Sequence, residues 1–232
     1  MIEADMDNHK FCFIMCTNDE LYMEESLLYI SLLEIPEEYS IDVLTVTKAT
    51  SMAAGYNEGM QASDAKYKIY MHQDVFIYNK KFLFEVLEIF KSDDQIGMIG
   101  TVGTPQLAND GIMWHGIRYG SLYGQDSQKK RQRSDAFTKV EIGYMEMQGI
   151  DGLLMITQYD LFWREDLFQR WDFYDVSQSM EFLRSGKKVV VPALKEPWCA
   201  HDCGFINLND YHSQRDVFLN EYGKDLYENT NL

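Results

Sequence analysis

The chain has 232 residues, 46% of them hydrophobic, and its 37 Asp and Glu against 21 Lys and Arg give a formal net charge of −16 at pH 7. That length and apolar content suit one large domain, or one domain with an appended subdomain, around a substantial core, and the charge repels nucleic acid and anionic membrane, which makes a polyanion a poor candidate partner. No run approaches the roughly 20 apolar residues needed to span a bilayer, and the opening Met1-Ile2-Glu3-Ala4-Asp5-Met6-Asp7 is acidic, so a soluble, cytoplasmic protein without a transmembrane segment is expected.

Through the first hundred residues short apolar runs alternate with longer helical stretches, the pattern of βα units and a mainly parallel sheet. Strands are predicted at Phe11 to Cys16, Ile41 to Val46, Lys68 to His72 and Ile96 to Gly100. Thr17-Asn18-Asp19-Glu20 has capping-box spacing and opens a helix through Leu27, Leu28, Leu32 and Leu33 that stops before Pro36. The second crossover, Ser51 to Ser63, carries Ala53, Ala54, Gly55 and Gly59, whose small size allows close helix-to-sheet approach at some cost in helix propensity. A third helix, Lys80 to Lys91, repeats Phe82, Val86 and Ile89 at helical spacing.

From Thr101 to Gln148 the periodicity fades, which predicts a long excursion of loops and short strands; long loops in compact domains are often functional. Regularity returns with the strand-like run Gly152 to Thr157. A helix follows with Val176, Met180 and Leu183 on one face, ended by Gly186, then a short strand from Lys188 to Val191 closed by Pro192. A final amphipathic helix is expected around Asp216 to Tyr222.

The run Tyr67-Lys68-Ile69-Tyr70-Met71-His72-Gln73-Asp74 carries the most chemistry. A hydrophobic strand there delivers His72 and Asp74 together at its carboxyl end, where an open α/β sheet binds ligands. Imidazole and carboxylate two residues apart can reach one divalent cation and through it a diphosphate. A polar turn capped by Asp74 is the plainer alternative. The four cysteines fall as Cys12 with Cys16 and Cys199 with Cys203, the second pair bracketing His201. Four residues of strand separate Cys12 from Cys16 by roughly 13 Å, too far for one tetrahedral zinc ion, so buried reduced thiols are expected. The first βα turn, Cys16-Thr17-Asn18-Asp19-Glu20, lacks a glycine-rich phosphate loop with a basic residue, which disfavours dehydrogenases, P-loop enzymes and sugar nucleotidyltransferases.

Taken in order, these features resemble the glycosyltransferases of the GT-A fold, close to the family 2 type and its glycosyltransferase-like relatives. The resemblance implies an α/β, Rossmann-like, mainly parallel mixed sheet flanked by helices. It implies a single domain over 1–232, with a nucleotide-binding half over 1–100 and an acceptor-side half over 101–232. Nucleotide-sugar contacts are implied at Thr17, Asn18 and Asp19, at Asn57 in the Ala53 to Gly59 segment, and at Gln73 and Asp74, where the family carries Asp-x-Asp. The acceptor-side segment matches Val140 to Thr157 with Asp151-Gly152 at its core; Trp114, Tyr119, Tyr123, Trp163, Trp171 and Tyr174 could stack on sugar faces, and Trp114 and Tyr174 are preferred because each lies next to a proposed site segment. Asp175 matches the general base at the start of a later helix, and His201 a further metal contact with His72 and Asp74. The basic run Lys129-Lys130-Arg131-Gln132-Arg133 reads first as a solvated loop, with closure over the sugar-nucleotide diphosphate or an anionic acceptor as the alternative.

Displacing a nucleoside diphosphate from an anomeric carbon leaves charge on the departing phosphate, which a divalent cation neutralises. Two imidazoles beside a carboxylate favour manganese over magnesium. A single-displacement, inverting reaction also needs a base for the acceptor hydroxyl. Plainer readings stand beside these. Asp175-x-x-Gln178 has capping-box spacing, His201 can be a hydrogen-bonded core histidine, Asn57 can bond a neighbouring loop, and Thr17, Asn18 and Asp19 can serve as caps. The implied function is inverting transfer from a nucleoside-diphosphate sugar to a hydroxyl of a glycan, glycolipid or protein acceptor in polysaccharide or glycoconjugate synthesis. The alternative is a non-catalytic relative that binds a nucleotide sugar or glycan.

Overall fold

The computed structural model describes residues 6–125, 131–133, 137–202 and 208–228. The first part builds β1 (Asp7–Cys16), α1 (Glu20–Ser31), β2 (Ser40–Val46), α2 (Met52–Gln61), β3 (Ala65–His72), β4 (Val75–Ile77), α3 (Phe82–Ser92) and β5 (Ile96–Gly100). The excursion contains β6 (Val102–Thr104), a 3-10 turn at Met113–His115, β7 (Tyr119–Gly120), β8 (Tyr123–Gln125), β9 (Arg131–Arg133) and β10 (Tyr144–Glu146). After it come β11 (Gly149–Ile150), β12 (Leu154–Thr157), α4 (Tyr174–Arg184), β13 (Lys188–Pro192), β14 (Cys199–His201) and α5 (Tyr211–Glu228).

Seven strands form the main sheet in the order β10-β13-β5-β12-β3-β1-β2. β1 pairs parallel with β2 and β3, and β13 with β5, while β12 runs antiparallel between β3 and β5. Period-2 alternation sorts β1 to both sides of this sheet: Phe11, Phe13 and Met15 pack towards α1 and α3, and Cys12, Ile14 and Cys16 towards α2 and α4. Both faces are covered, which is why these strands read as continuous apolar runs. The close approach of α2 is real. A Cβ on Gly55 would overlap Cys16 Sγ, and one on Gly59 would overlap Ile14 Cγ2. Lys68 is fully buried in β3, but its ammonium is satisfied by the Ala65 carbonyl at 2.7 Å and Asp160 at 2.9 Å.

Two features of this topology build a site. His72, the last residue of β3, lies opposite Cys16 at the end of β1, so both strands open onto one edge. Antiparallel β12 then brings the Asp151-Gly152 turn to that edge, where the His72 amide donates to the Leu153 carbonyl at 3.1 Å. β14 pairs antiparallel with β4, setting His201 opposite Val75, and the Asp202 amide donates to the Asp74 carbonyl at 2.9 Å.

Helix α1 departs from the sequence expectation. Its cap is Asp19 rather than Thr17: Asp19 Oδ1 accepts from the amides of Leu21 at 3.0 Å and Tyr22 at 3.3 Å. Leu28 and Leu32, expected in the core, are 58% and 50% exposed. The helix is turned so that the buried Ser26 hydroxyl reaches the carbonyls of Gln73 at 2.9 Å and Val75 at 2.7 Å, and Ile30 and Leu33 supply the apolar contact. Helix α5 begins earlier than predicted. Its Phe218 and Tyr222 pack with Phe173, Val176 and Met180, and Glu221 and Asp225 each pair with Arg184 at 2.7 Å. Cys12, Cys16 and Cys199 are buried free thiols; Cys203, Lys129 and Lys130 lie outside the described residues, while Arg131–Arg133 form β9, paired with β8.

Candidate active site

At the shared edge His72, Asp74 and His201 offer ligand atoms that all lie within 4.8 Å of one another. Asp74 Oδ1 is buried, and among the described residues no well-formed hydrogen bond reaches it; its nearest polar neighbours are His201 Nε2 at 3.4 Å and His72 Nδ1 at 4.0 Å. A buried carboxylate oxygen facing two imidazole nitrogens is what a divalent cation satisfies. His72 Nε2 meets the Tyr174 hydroxyl at 2.5 Å, which fixes the ring and leaves Nδ1 towards Asp74. Burial, and after it the neighbouring His201, push the His72 imidazole down to about 4. It is therefore neutral near pH 7, the form that ligates a metal. Burial would also lower His201, but its contact with Asp74 outweighs that and raises it; burial raises Asp74, and His201 outweighs that and lowers it. The three groups fit a transition cation better than magnesium, which prefers an all-oxygen shell.

Beyond Tyr174 lies a second carboxylate. Phe173, immediately before α4, is held in the left-handed region at φ +62°, a costly conformation for a bulky residue that recurs at functional sites. This turn sends Tyr174 across Gly152, where any Cβ would overlap the tyrosine hydroxyl. It also sets Asp175 beside the β11–β12 turn: Oδ2 accepts from the Gly152 amide at 3.0 Å and Oδ1 from the Val176 amide at 2.9 Å. Burial first, and then the charge of Asp151, push the Asp175 carboxyl up to about 7. The capping-box reading of Asp175 does not hold, because the residue before α4 is Phe173 without a side-chain cap and Gln178 donates instead to the Leu161 carbonyl at 2.8 Å.

Two cavities flank His72. One, of about 250 Å³, is lined by Thr17, Asn18, Gln73 and Asp74 together with Thr47, Ala49, Met52 and Trp171. The other, of about 150 Å³, is lined by Trp114, Asp151, Tyr174 and Asp175 with Asp172, Trp171 and Tyr211. A larger groove of about 810 Å³ runs past Tyr78, Tyr123 and the 192–197 segment, away from every predicted residue. The site is therefore assigned by its chemistry rather than its size. Gln73 ties the first cavity together: its Oε1 accepts from the amides of Asn18 at 2.9 Å and Asp19 at 3.0 Å, and its amide donates to Asn18 Oδ1 at 2.6 Å.

Asp19 and Asn57 do not join this constellation as expected. The Asp19 carboxylate is committed to the α1 cap. Asn57 is 2% exposed, and its side-chain amide is consumed by the Trp163 backbone, accepting from its N–H at 2.9 Å and donating to its carbonyl at 2.9 Å. Asn57→Ala is therefore expected to cost about 2–4 kcal/mol of stability by orphaning both Trp163 groups, with nucleotide affinity unchanged, as read from urea midpoints and calorimetry. A large loss of affinity without loss of stability would restore it to the site. Thr47 and Tyr211 were not singled out in the sequence, whereas Trp171 was among the aromatics expected to be able to stack on a sugar face.

No curated protein sequence matches the chain. Among solved structures it is similar to the mannosyltransferase PcManGT from Pyrobaculum calidifontis in complex with GDP-Man and Mn²⁺, at TM-score 0.58 and 11% identity over 94% of this chain and 64% of that one. It is similar also to S. aureus TarS 1-349 in complex with UDP-GlcNAc, at TM-score 0.56 and 11% identity over 96% of this chain and 68% of that one. The chain thus spans about two thirds of the length of these neighbours, and it shares their GT-A fold. Among the described residues no helix is long and apolar enough to cross a membrane. The model of the glycosyltransferase-like family matches residues 12–222, and the chain belongs to that family.

Proposed function

We propose that this protein is an inverting glycosyltransferase that moves a sugar from a nucleoside-diphosphate sugar to an acceptor hydroxyl. The observation that carries this is the meeting of two cavities at His72, with a three-ligand cluster on one side and a raised-pKa carboxylate on the other. The diphosphate occupies the cavity of Thr17, Asn18, Gln73 and Asp74. Among the described residues lining it there is no Lys or Arg, so the anion has no protein cation to neutralise it. A divalent metal held by His72, Asp74 and His201, with manganese favoured over magnesium, would neutralise the departing diphosphate as a Lewis acid. The neighbours' GDP-Man, Mn²⁺ and UDP-GlcNAc support this donor class.

On the other side Asp175 takes the proton of the acceptor hydroxyl. The acceptor oxygen forms a bond to the anomeric carbon as the bond to the β-phosphate oxygen breaks, and the electron pair leaves with the diphosphate. No covalent enzyme intermediate is required. The Gly152 amide orients Asp175 Oδ2, and Trp114, 47% exposed beside the cavity, offers a stacking face for a glycan acceptor. Calorimetric titration with UDP, GDP, CDP and dTDP, each with manganese and with chelator, tests the reading. Manganese-dependent binding of at least one is expected, and binding of none would overturn it.

A further inference from the structure

We propose that Trp171 is a positioning residue shared by both substrates: its indole seats the transferred sugar between the two cavities and keeps water from the anomeric carbon. This deepens the transferase reading and rests on it. Among the described residues, Trp171 and His72 are the two that line both cavities. The His72 ring is held by Tyr174 and faces Asp74, which leaves Trp171 as the apolar surface common to both compartments.

Trp171 is 49% exposed, whereas Trp163 and Trp198 are 2% and 0% exposed. Trp114 is exposed too, but it lines only the acceptor-side cavity and already stacks on Tyr211, with ring centroids 5.3 Å apart. The backbone at Trp171 is nonetheless anchored. The preceding carbonyl, of Arg170, accepts from the Met52 amide at 3.2 Å, tying the segment to the α2 wall of the donor-side cavity. Two residues later, the left-handed Phe173 begins the turn that sets Tyr174 and Asp175. An exposed indole on a backbone fixed at both ends, between a diphosphate-sized cavity and a base, is a platform for the C–H face of a sugar. Seated there, the sugar completes the wall against which the acceptor docks.

The test compares each nucleoside diphosphate with its sugar conjugate, UDP with UDP-GlcNAc and GDP with GDP-mannose, by calorimetry in manganese. The parent protein is expected to bind one conjugate about 10-fold tighter than its diphosphate. Trp171→Ala should bind the diphosphate within about twofold of the parent and lose the sugar-dependent gain, while Trp171→Phe keeps most of it. The alanine variant should also hydrolyse bound donor faster. Retention of the sugar-dependent gain in Trp171→Ala overturns the proposal and leaves the transferase reading intact. So does equal weakening of diphosphate and conjugate, which marks a merely structural residue, or a parent protein that does not distinguish them. A parent that binds none of UDP, GDP, CDP and dTDP overturns the transferase reading and this inference with it.

Discussion

Asp175→Asn is expected to lower sugar transfer by about 10²–10⁴-fold while leaving donor affinity within about twofold of the parent. Asparagine keeps the shape and its one acceptor oxygen can still take the Gly152 amide, so the turn between β11 and β12 survives; the Val176 amide loses its partner, a cost that does not vary with pH, and the side chain cannot take a proton. Near-normal turnover of the variant would remove Asp175 as the base. Its pKa of about 7 adds a second readout. The reactive form is the carboxylate, so kcat/KM should rise about tenfold per pH unit below 7 and level off above it. Linkage gives the sign for stability. The folded pKa lies above the ordinary carboxylate value of 3.8, so folding favours the protonated form. The parent is unpenalised below pH 3.8, loses stability as pH rises towards 7, and stays penalised above it. Asp175→Asn has no such group, and urea unfolding should show it gaining roughly 2–4 kcal/mol on the parent between pH 4 and pH 8. A pH-independent difference would show that the carboxyl is not buried as its surroundings imply.

The strands, and the placing of His72 and Asp74 at a strand end, were legible because their physics is local. A sheet covered on both faces demands continuous apolar runs, and Phe11 to Cys16 and Lys68 to His72 supply them, so the carboxyl end of β3, with His72 and Asp74, follows from the pattern alone. The rotation of α1 was not legible. Its leucine stripe has core spacing, yet two hydrogen bonds from Ser26 to the β3–β4 segment turn Leu28 and Leu32 outward. The partners of Asn57 were not legible for a related reason: a polar residue on a helix near a cavity has the pattern of a ligand contact, and only the tertiary position of Trp163 reveals a backbone clamp. The 159–173 segment has neither helical nor strand period, so nothing in the chain announces that it returns to β3 carrying Trp171. The antiparallel run of β12 is likewise invisible in its four apolar residues, although that orientation is what brings Gly152 and Asp175 beside His72.

Asp74→Ala is expected to weaken manganese binding by roughly 100-fold or more and to abolish manganese-dependent binding of the diphosphate. Asp74 is the sole carboxylate of the three-residue cluster, and its buried Oδ1 has no well-formed hydrogen bond among the described residues, only His201 Nε2 at 3.4 Å. Two neutral imidazoles carry no negative charge to hold a divalent ion, so loss of the carboxylate costs more than loss of either ring. The diphosphate then has no counter-charge, because the described residues lining its cavity include no Lys or Arg and the chain as a whole carries −16. Affinity should therefore fall to the level that the parent shows in chelator. Titrations with manganese alone, then with UDP and GDP in manganese and in chelator, separate the two effects. Unchanged manganese affinity in Asp74→Ala would sink the metal site itself. Lost manganese affinity with unchanged nucleotide affinity would mean that the diphosphate is held by uncharged donors, Thr17, Asn18 and the backbone around them, and that the cluster serves another purpose.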